Sequence, residues 1–308
     1  PLTKFGAKFK LKKNKNLPLK ICGSDNLNSI NYFEKKGSAQ CKSAVIFGAL
    51  RSKGTTFIKA KKSRNHTELI CKYLKLPIKI NNKKNYDQIK VSKAVRIKPL
   101  NYKIPSDISS SAFFMVLTAL SKNSQLIIKN VNINPSRIGI INILNKMGIK
   151  INLINTKNYK GEKNADIEIL SPKFIKPINC PASLTSEAID EFLVIFLVAA
   201  KARGVSYFKN LSELNNKESP RLKWGSKILN LMGVKNILTE SSIKIFGNPN
   251  LKLDKKIVIK NYLKDHRIFM TCVIAALTFG GKWEIHDKNS TITSFPSFLK
   301  IIRQLKNS

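Results

Sequence analysis

The chain has 308 residues, 43% of them hydrophobic, which is enough for a substantial core and too much for a disordered chain. Its longest nearly unbroken apolar run, Phe192–Ala200, falls far short of the roughly 20 residues that span a bilayer, so a transmembrane protein, a collagen-like chain and a coiled coil are all excluded. The net charge of +38 arises from 56 Lys and Arg against 18 Asp and Glu, but only eight of the 56 are Arg and the Lys are spread over nearly every segment; the charge reads as AT-rich coding drift and solvated surface that attracts small anions, not as a nucleic-acid-reading element.

The chain opens on Pro1-Leu2-Thr3-Lys4-Phe5-Gly6, which reads as the last turn of a helix. The ending Lys4-Phe5-Gly6-Ala7-Lys8 recurs as Lys146-Met147-Gly148-Ile149-Lys150 and as Leu231-Met232-Gly233-Val234-Lys235. The Gly suits a left-handed helix cap, and the β-branched residues after the second and third copies start a strand.

Between these endings, four segments share one plan. An apolar helix from Ala39 to near Leu50 leads to a strand through Phe57 and Ile58. A second runs from Ser110 through Leu120 to a strand at 125–128. A third runs from Asp190 through Ala200 to a strand at 205–208. A fourth runs from Arg267 through Leu277 to a strand at 282–285. Each strand feeds a polar loop and a second helix. The spacing of about 70–80 residues points to a βαβαββ-type unit used several times. The first helix of each unit is apolar on nearly every face, as helices buried on all sides are. A break at Lys103-Ile104-Pro105-Ser106-Asp107, just before a helix cap at Asp107, divides the chain into 1–104 and 105–308.

Polar residues gather at the helix starts, where free N–H groups and the helix dipole favour anions. Gly37-Ser38-Ala39-Gln40 opens the first buried helix, and Ser38 alone reads equally well as its cap. Ser63-Arg64-Asn65-His66-Thr67-Glu68 fits a capping box in which Asn65 caps and Glu68 reaches back, leaving Arg64 to face an anion. Asp190 and Glu191 precede the third helix, either as caps or as a general base. Lys217-Glu218-Ser219-Pro220-Arg221 and Asp265-His266-Arg267 place further cations at matching corners, where a guanidinium suits carboxylate or phosphate. Arg64, Lys217, Arg221 and Arg267 so converge on one anionic ligand. The five cysteines lack a C-x-x-C pair and the three histidines lack metal-ligand spacing, which points to a reducing, cytoplasmic setting without a metal.

The ordered set Ser-Ala-Gln, Ser-Arg-Asn-His-Thr-Glu, Asp-Ile-Ser-Ser, Asn-Pro-Ser-Arg, Ile-Asp-Glu-Phe, Lys-Glu-Ser-x-Arg, Asp-His-Arg-Ile and Thr-Ser-Phe-Pro resembles the 5-enolpyruvylshikimate-3-phosphate synthase family over essentially the whole chain, in its bacterial class II branch. The resemblance implies a two-domain inside-out α/β barrel of βαβαββ units with buried parallel helices. The first domain would be partial, and residues 105–308 would hold three units. Substrates bind between the domains in that family. The implied activity joins phosphoenolpyruvate to the 5-hydroxyl of shikimate 3-phosphate and releases phosphate, with no cofactor.

By matched motif, Asp190 would take the hydroxyl proton and Glu218 would handle the proton at the methylene carbon. Ser38, Ala39, Gln40, Arg64, Asp190 and Lys217 would hold shikimate 3-phosphate; Gln40, Arg221 and Arg267 would hold phosphoenolpyruvate. The implied protein is a cytoplasmic monomer that engages neither nucleic acid nor membrane. The family's Asp-Lys-Ser and Asn-Ser-Gly-Thr-Thr motifs are absent, so the chain alone is expected to be inactive and to expose apolar surface. Ser106, Leu193, Pro220 and Lys264 stand where the family pattern has Gly, Pro, Asp and Gly. Competing readings are the related transferase acting on UDP-N-acetylglucosamine, a basic nucleic-acid-binding protein and a non-catalytic remnant.

Overall fold

A computed structural model of the chain describes residues 1–11 and 18–306. Its contacts divide it into two compact units: Pro1–Ile104 with Asn158–Lys163, and Pro105–Lys157 with Asn164–Ser308. The hairpin tip at 158–163 thus groups with the first unit, which chain order alone does not indicate.

The first unit begins with a helical turn, α1 (Leu2–Phe5), closed by Gly6 at φ 112°. An antiparallel pair follows, β1 (Lys8–Leu11) and β2 (Leu19–Cys22). A complete repeat comes next: β3 (Asn31–Glu34), α2 (Ala39–Ala49), β4 (Thr55–Lys61), α3 (His66–Tyr73), β5 (Ile78–Asn82) and β6 (Tyr86–Ser92). Its sheet runs β3-β4-β6-β5, with β3 parallel to β4 and the other junctions antiparallel. Strand alternation turns Thr56, Ile58 and Ala60 inward and Phe57, Lys59 and Lys61 outward.

The second unit repeats the plan. Helix α4 (Ile108–Leu120), β7 (Gln125–Asn132), α5 (Gly139–Lys146), β8 (Lys150–Tyr159) and β9 (Glu162–Leu170) form one copy. After a short helix, α6 (Ala182–Glu187), the next copy comprises α7 (Phe192–Ala200), β10 (Val205–Phe208), α8 (Arg221–Leu231), β11 (Asn236–Leu238) and β12 (Ile243–Phe246). The orders β7-β9-β8 and β10-β12-β11 match β4-β6-β5 of the first unit. The leading strand of each copy shrinks to one parallel bridge, Ser106 to Val131 and Asn179 to Tyr207. Pro105, Pro177 and Pro181 border those bridges and cannot donate to a longer ladder.

The last copy is β13 (Leu253–Ile259), α9 (His266–Phe279), β14 (Gly280–Ile285) and α10 (Phe298–Lys306), with β13 parallel to β14. Among the described residues this copy runs βαβα.

Helices α4, α7 and α9 pack on one another. All nine residues of α7 are buried, which is why its sequence carries no polar face. The rings of Phe192, Phe196 and Phe208 meet at centroid distances of 5.5–5.9 Å. Helix α8 approaches α7 so closely that a Cβ at Gly225 would lie 2.7 Å from the Phe196 ring. Gly148 and Gly233 close α5 and α8 at φ 87° and 78°, as their recurring endings predict.

Candidate active site

The sequence-predicted residues fall into two sets, one in each unit. In the first unit, Ser38 caps α2 and its Oγ accepts from the Cys41 N–H at 3.2 Å. Ala39 and Gln40 form the first turn behind it, and Gln40 is exposed. Arg64 lies half-buried in the loop between β4 and α3.

The capping box expected at Asn65 and Glu68 does not form. Asn65 makes no side-chain cap bond, and Glu68 turns to the buried Lys42 at 2.6 Å. The reason is the neighbouring helix: an ammonium with no water around it is a stronger partner for a carboxylate than one backbone N–H. Ser43 Oγ also meets Thr67 Oγ1 at 2.6 Å. These contacts tie the first turns of α2 to the start of α3. His66 Nδ1 contacts Glu162 Oε1 on the hairpin tip at 2.6 Å.

In the second unit the N-terminal ends of α4, α7, α8 and α9 share one ionic cluster. Its centre is Arg221, the first residue of α8, whose side chain is 2% exposed. Nε donates to Asp265 Oδ2 at 2.8 Å and Nη2 to Asp265 Oδ1 at 3.2 Å, a two-pronged pair. Nη2 also meets the exposed Glu218, while Nη1 lies 3.7 Å from Asp190 Oδ1. Lys217 Nζ reaches Asp190 Oδ1 at 3.4 Å and Glu213 at 2.8 Å. Asp190 therefore stands between two cations.

Asp265 does several jobs. It caps α9 by accepting from the Arg267 N–H at 2.9 Å, and it accepts from Ser219 Oγ at 2.8 Å. Burial pushes its pKa upward, but the Arg221 guanidinium, the Ser219 hydroxyl and the Arg267 N–H outweigh burial and hold it below the ordinary aspartate value. Arg267 Nη1 donates to the Asp190 carbonyl at 2.9 Å and lies 4.0 Å from Glu191 Oε1. Burial, then the neighbouring Arg267, lowers the pKa of His266 and favours its neutral form.

Glu191 is not the cap that its position suggests. It makes no cap bond to α7 and instead accepts from the Ser109 hydroxyl. Arg137 Nη2 donates to Ser109 Oγ at 2.6 Å and to Asp107 at 3.2 Å. Burial raises the Glu191 pKa above the ordinary value despite Arg267 nearby. Asp107 caps α4, accepting from the Ser110 N–H at 2.9 Å.

Asp190, Lys217, Glu218, Arg221 and Arg267 are thus brought together, whereas Ser38, Ala39, Gln40 and Arg64 belong to the first unit. Sequence reasoning assigned no site role to Ser109, Arg137, Ser219 or Asp265, and offered Glu191 only as a cap or a general base. The motifs Asp-Ile-Ser-Ser, Asn-Pro-Ser-Arg and Asp-His-Arg contain three of them, but only the fold shows that they serve one cluster.

The departures from the family pattern are accommodated unevenly. Pro220 sits at the cap of α8 with φ −71°, a value proline adopts without strain, and its carbonyl accepts from Trp224 N–H at 3.0 Å. Ser106 bridges Val131 in an extended stretch, and Leu193 is buried within α7. Lys264, in place of Gly, is forced to φ 55°.

The family model for EPSP synthase (3-phosphoshikimate 1-carboxyvinyltransferase) matches residues 1–302. The chain belongs to the EPSP synthase family. It is 40% identical over 306 residues to the 3-phosphoshikimate 1-carboxyvinyltransferase of Ruthia magnifica subsp. Calyptogena magnifica, a match covering 99% of this chain and 68% of that relative. It is similar to the solved EPSP synthase of Acinetobacter baumannii, with a TM-score of 0.86 and 32% identity over 98% of this chain and 68% of that one. The enolpyruvyl transferase NikO of Streptomyces tendae shares the fold at a TM-score of 0.71 and 12% identity, covering 99% of this chain and 69% of that one. The architecture is therefore the enolpyruvyl transferase fold.

Proposed function

We propose that this chain serves the transfer of the carboxyvinyl group of phosphoenolpyruvate to the 5-hydroxyl of shikimate 3-phosphate, with release of phosphate, in the shikimate pathway. Family membership and the names of the relatives support this reading. The observation that carries it is Asp190, a carboxylate set between Lys217 and Arg221, with Arg267 anchored on its own carbonyl. Both substrates are small multiply charged anions, and both hold groups that such cations recognise.

In this proposal Asp190 accepts the proton of the 5-hydroxyl as its oxygen bonds to C2 of phosphoenolpyruvate. Glu218 gives a proton to C3, which becomes a methyl group. The C2–O bond to phosphate then breaks, phosphate leaves with the proton that Asp190 took, and the methyl returns one proton to Glu218 to restore the vinyl group. Arg221 and Arg267 hold the phosphate and carboxylate of phosphoenolpyruvate. Ser38, Ala39, Gln40, Arg64 and Lys217 hold shikimate 3-phosphate, the first three with a helix N-terminus behind them.

The role of Arg221 is electrostatic, and Asp265 already holds its guanidinium in one geometry. We take the protein to act as a cytoplasmic monomer. Among the described residues no helix is long and apolar enough to cross a membrane.

The test is phosphate release from phosphoenolpyruvate, measured for the chain alone and for the chain joined to the portion of the Ruthia relative that it does not match. Release that requires shikimate 3-phosphate, and that Asp190→Asn lowers by about 10²–10⁴-fold, supports the proposal. Release with UDP-N-acetylglucosamine as acceptor instead, or release indifferent to Asp190→Asn, refutes it.

A further inference from the structure

The lysines are scattered along the sequence, but the fold sorts some of them onto one sheet face together with aromatic rings. On the outward face of β3-β4-β6-β5, register sets Asn31, Phe57, Lys90 and Lys79 side by side in one row. Phe33, Lys59, Gln88 and Asn81 form the next row. All eight are exposed. Phe33 and Phe57 are 50% and 46% exposed, on adjacent strands and diagonal to one another.

The carboxylates of these strands, Glu34 and Asp87, are both on the buried face, so none of the four strands places an acid outward. The two rows border an open depression of about 740 Å³. Lys59 Nζ lies 5.3 Å from the Phe33 ring centre and Lys90 Nζ 5.3 Å from that of Phe57.

Exposed rings flanked by cations, with amides between them and no acid, suit a ligand that offers flat π-faces joined by negative charges. We propose that this face binds a segment of single-stranded nucleic acid, its bases stacking on Phe33 and Phe57 and its phosphates meeting Lys59, Lys79 and Lys90. Gln88, Asn31 and Asn81 supply donors and acceptors for base edges. An exposed ammonium over a ring is a weaker contact than a stacked base, so Lys59 and Lys90 can yield the ring faces and turn to phosphate. A duplex keeps its bases stacked internally and offers the rings nothing. A second copy of the chain, itself at +38, is repelled by a cationic face. The proposal is independent of the transferase reading, since none of these residues belongs to the candidate active site.

The test separates ring stacking from bulk charge. Fluorescence anisotropy with a labelled oligothymidylate is measured for the full chain, for Phe33→Ala/Phe57→Ala and for Phe33→Tyr/Phe57→Tyr, with circular dichroism confirming the fold of each. None of these substitutions alters the net charge. The alanine pair is expected to bind about tenfold or more weakly, and the tyrosine pair to bind as the parent does. Lys59→Gln/Lys90→Gln is expected to flatten the salt dependence by about 0.7 in log–log slope for each lost phosphate contact. A duplex of matching length should bind less tightly, with no response to the alanine pair. Equal affinity of parent and alanine pair for the oligothymidylate overturns the proposal and leaves charge alone as the cause. Ring-dependent binding to phosphatidylserine vesicles, with none to the oligothymidylate, overturns it in favour of a lipid surface.

Discussion

Each unit contains a buried ion pair at the start of an apolar helix, and the two pairs are built differently. Lys42 and Glu68 meet through one contact at 2.6 Å, and Lys42 Nζ and Glu68 Oε2 have no well-directed hydrogen bond. Arg221 and Asp265 meet through two, and Asp265 also accepts from Ser219 Oγ and the Arg267 N–H. The first pair is a point charge against a carboxylate between two helices. The second is a node: it caps α9, seats Arg221, and leaves Nη1 facing Asp190. Burial is common to both pairs; what separates them is the number of elements that depend on each.

The largest effect should come from breaking the node. Arg221→Ala leaves Asp265 buried beside no cation, and urea unfolding should show a loss of about 3–5 kcal/mol. Lys42→Met with Glu68→Leu removes two poorly bonded charges and should leave stability unchanged or raise it by about 1–4 kcal/mol. Arg221→Met with Asp265→Leu removes the α9 cap and the Ser219 partner as well, and should destabilise. Equal outcomes for the two double variants would erase the distinction between the pairs.

The second unit's buried carboxylates should respond to pH with opposite signs. Asp265 has a folded pKa below its unfolded value, so its contribution is whole above about 3.9 and is lost as pH falls through the folded value. Glu191 has a folded pKa above its unfolded value. Its folded form holds the proton more tightly, so stability declines as pH rises from the ordinary carboxylate value through the raised one. Glu191→Gln should remove that decline in chemical-denaturation curves taken across the range. A parent curve that rises there would show that the Ser109 and Arg267 contacts overcome burial.

The smallest effect concerns the backbone just before the node. Lys264 is held at φ 55°, where an L-residue with a Cβ is strained by about 1 kcal/mol. Lys264→Gly relieves that strain against a smaller entropic cost, and should raise the melting temperature slightly, by up to about 1 kcal/mol in stability. A decrease would mean that the lysine side chain contributes more than the backbone loses.

Much of this fold was legible in the sequence. The recurring Met-Gly and Phe-Gly endings located three helix caps, and the apolar runs located α2, α4, α7 and α9, because full burial leaves a helix without a polar face. The shrunken leading strands at Ser106 and Asn179 were not legible, since a single bridge has no period to read. The grouping of the hairpin tip at 158–163 with the first unit was also hidden, because it depends on contacts such as His66 with Glu162 across 96 positions. At the site, the loops with Asp190, Lys217, Arg221 and Arg267 announced themselves by charge next to apolar helices. The capping readings of Asn65, Glu68 and Glu191 failed for one reason. A local rule weighs a carboxylate against its own backbone, but each of these acids, Glu68 and Glu191, found a partner on another helix. Glu191 illustrates the limit: its neighbours Ser109, Arg137 and Arg267 come from three separate parts of the chain.

In the proposed reaction Asp190, flanked by cations, and Glu218, exposed beside Arg221, divide the proton work. The most direct test runs the reaction in deuterium oxide with the chain joined to the unmatched portion of the Ruthia relative, and reads deuterium in the vinyl group of the product by NMR. Solvent deuterium is expected at that carbon, because C3 passes through a methyl group. Glu218→Gln is expected to suppress both deuterium uptake and turnover. Product formed at the parent rate without deuterium, or deuterium uptake unaffected by Glu218→Gln, would contradict that division.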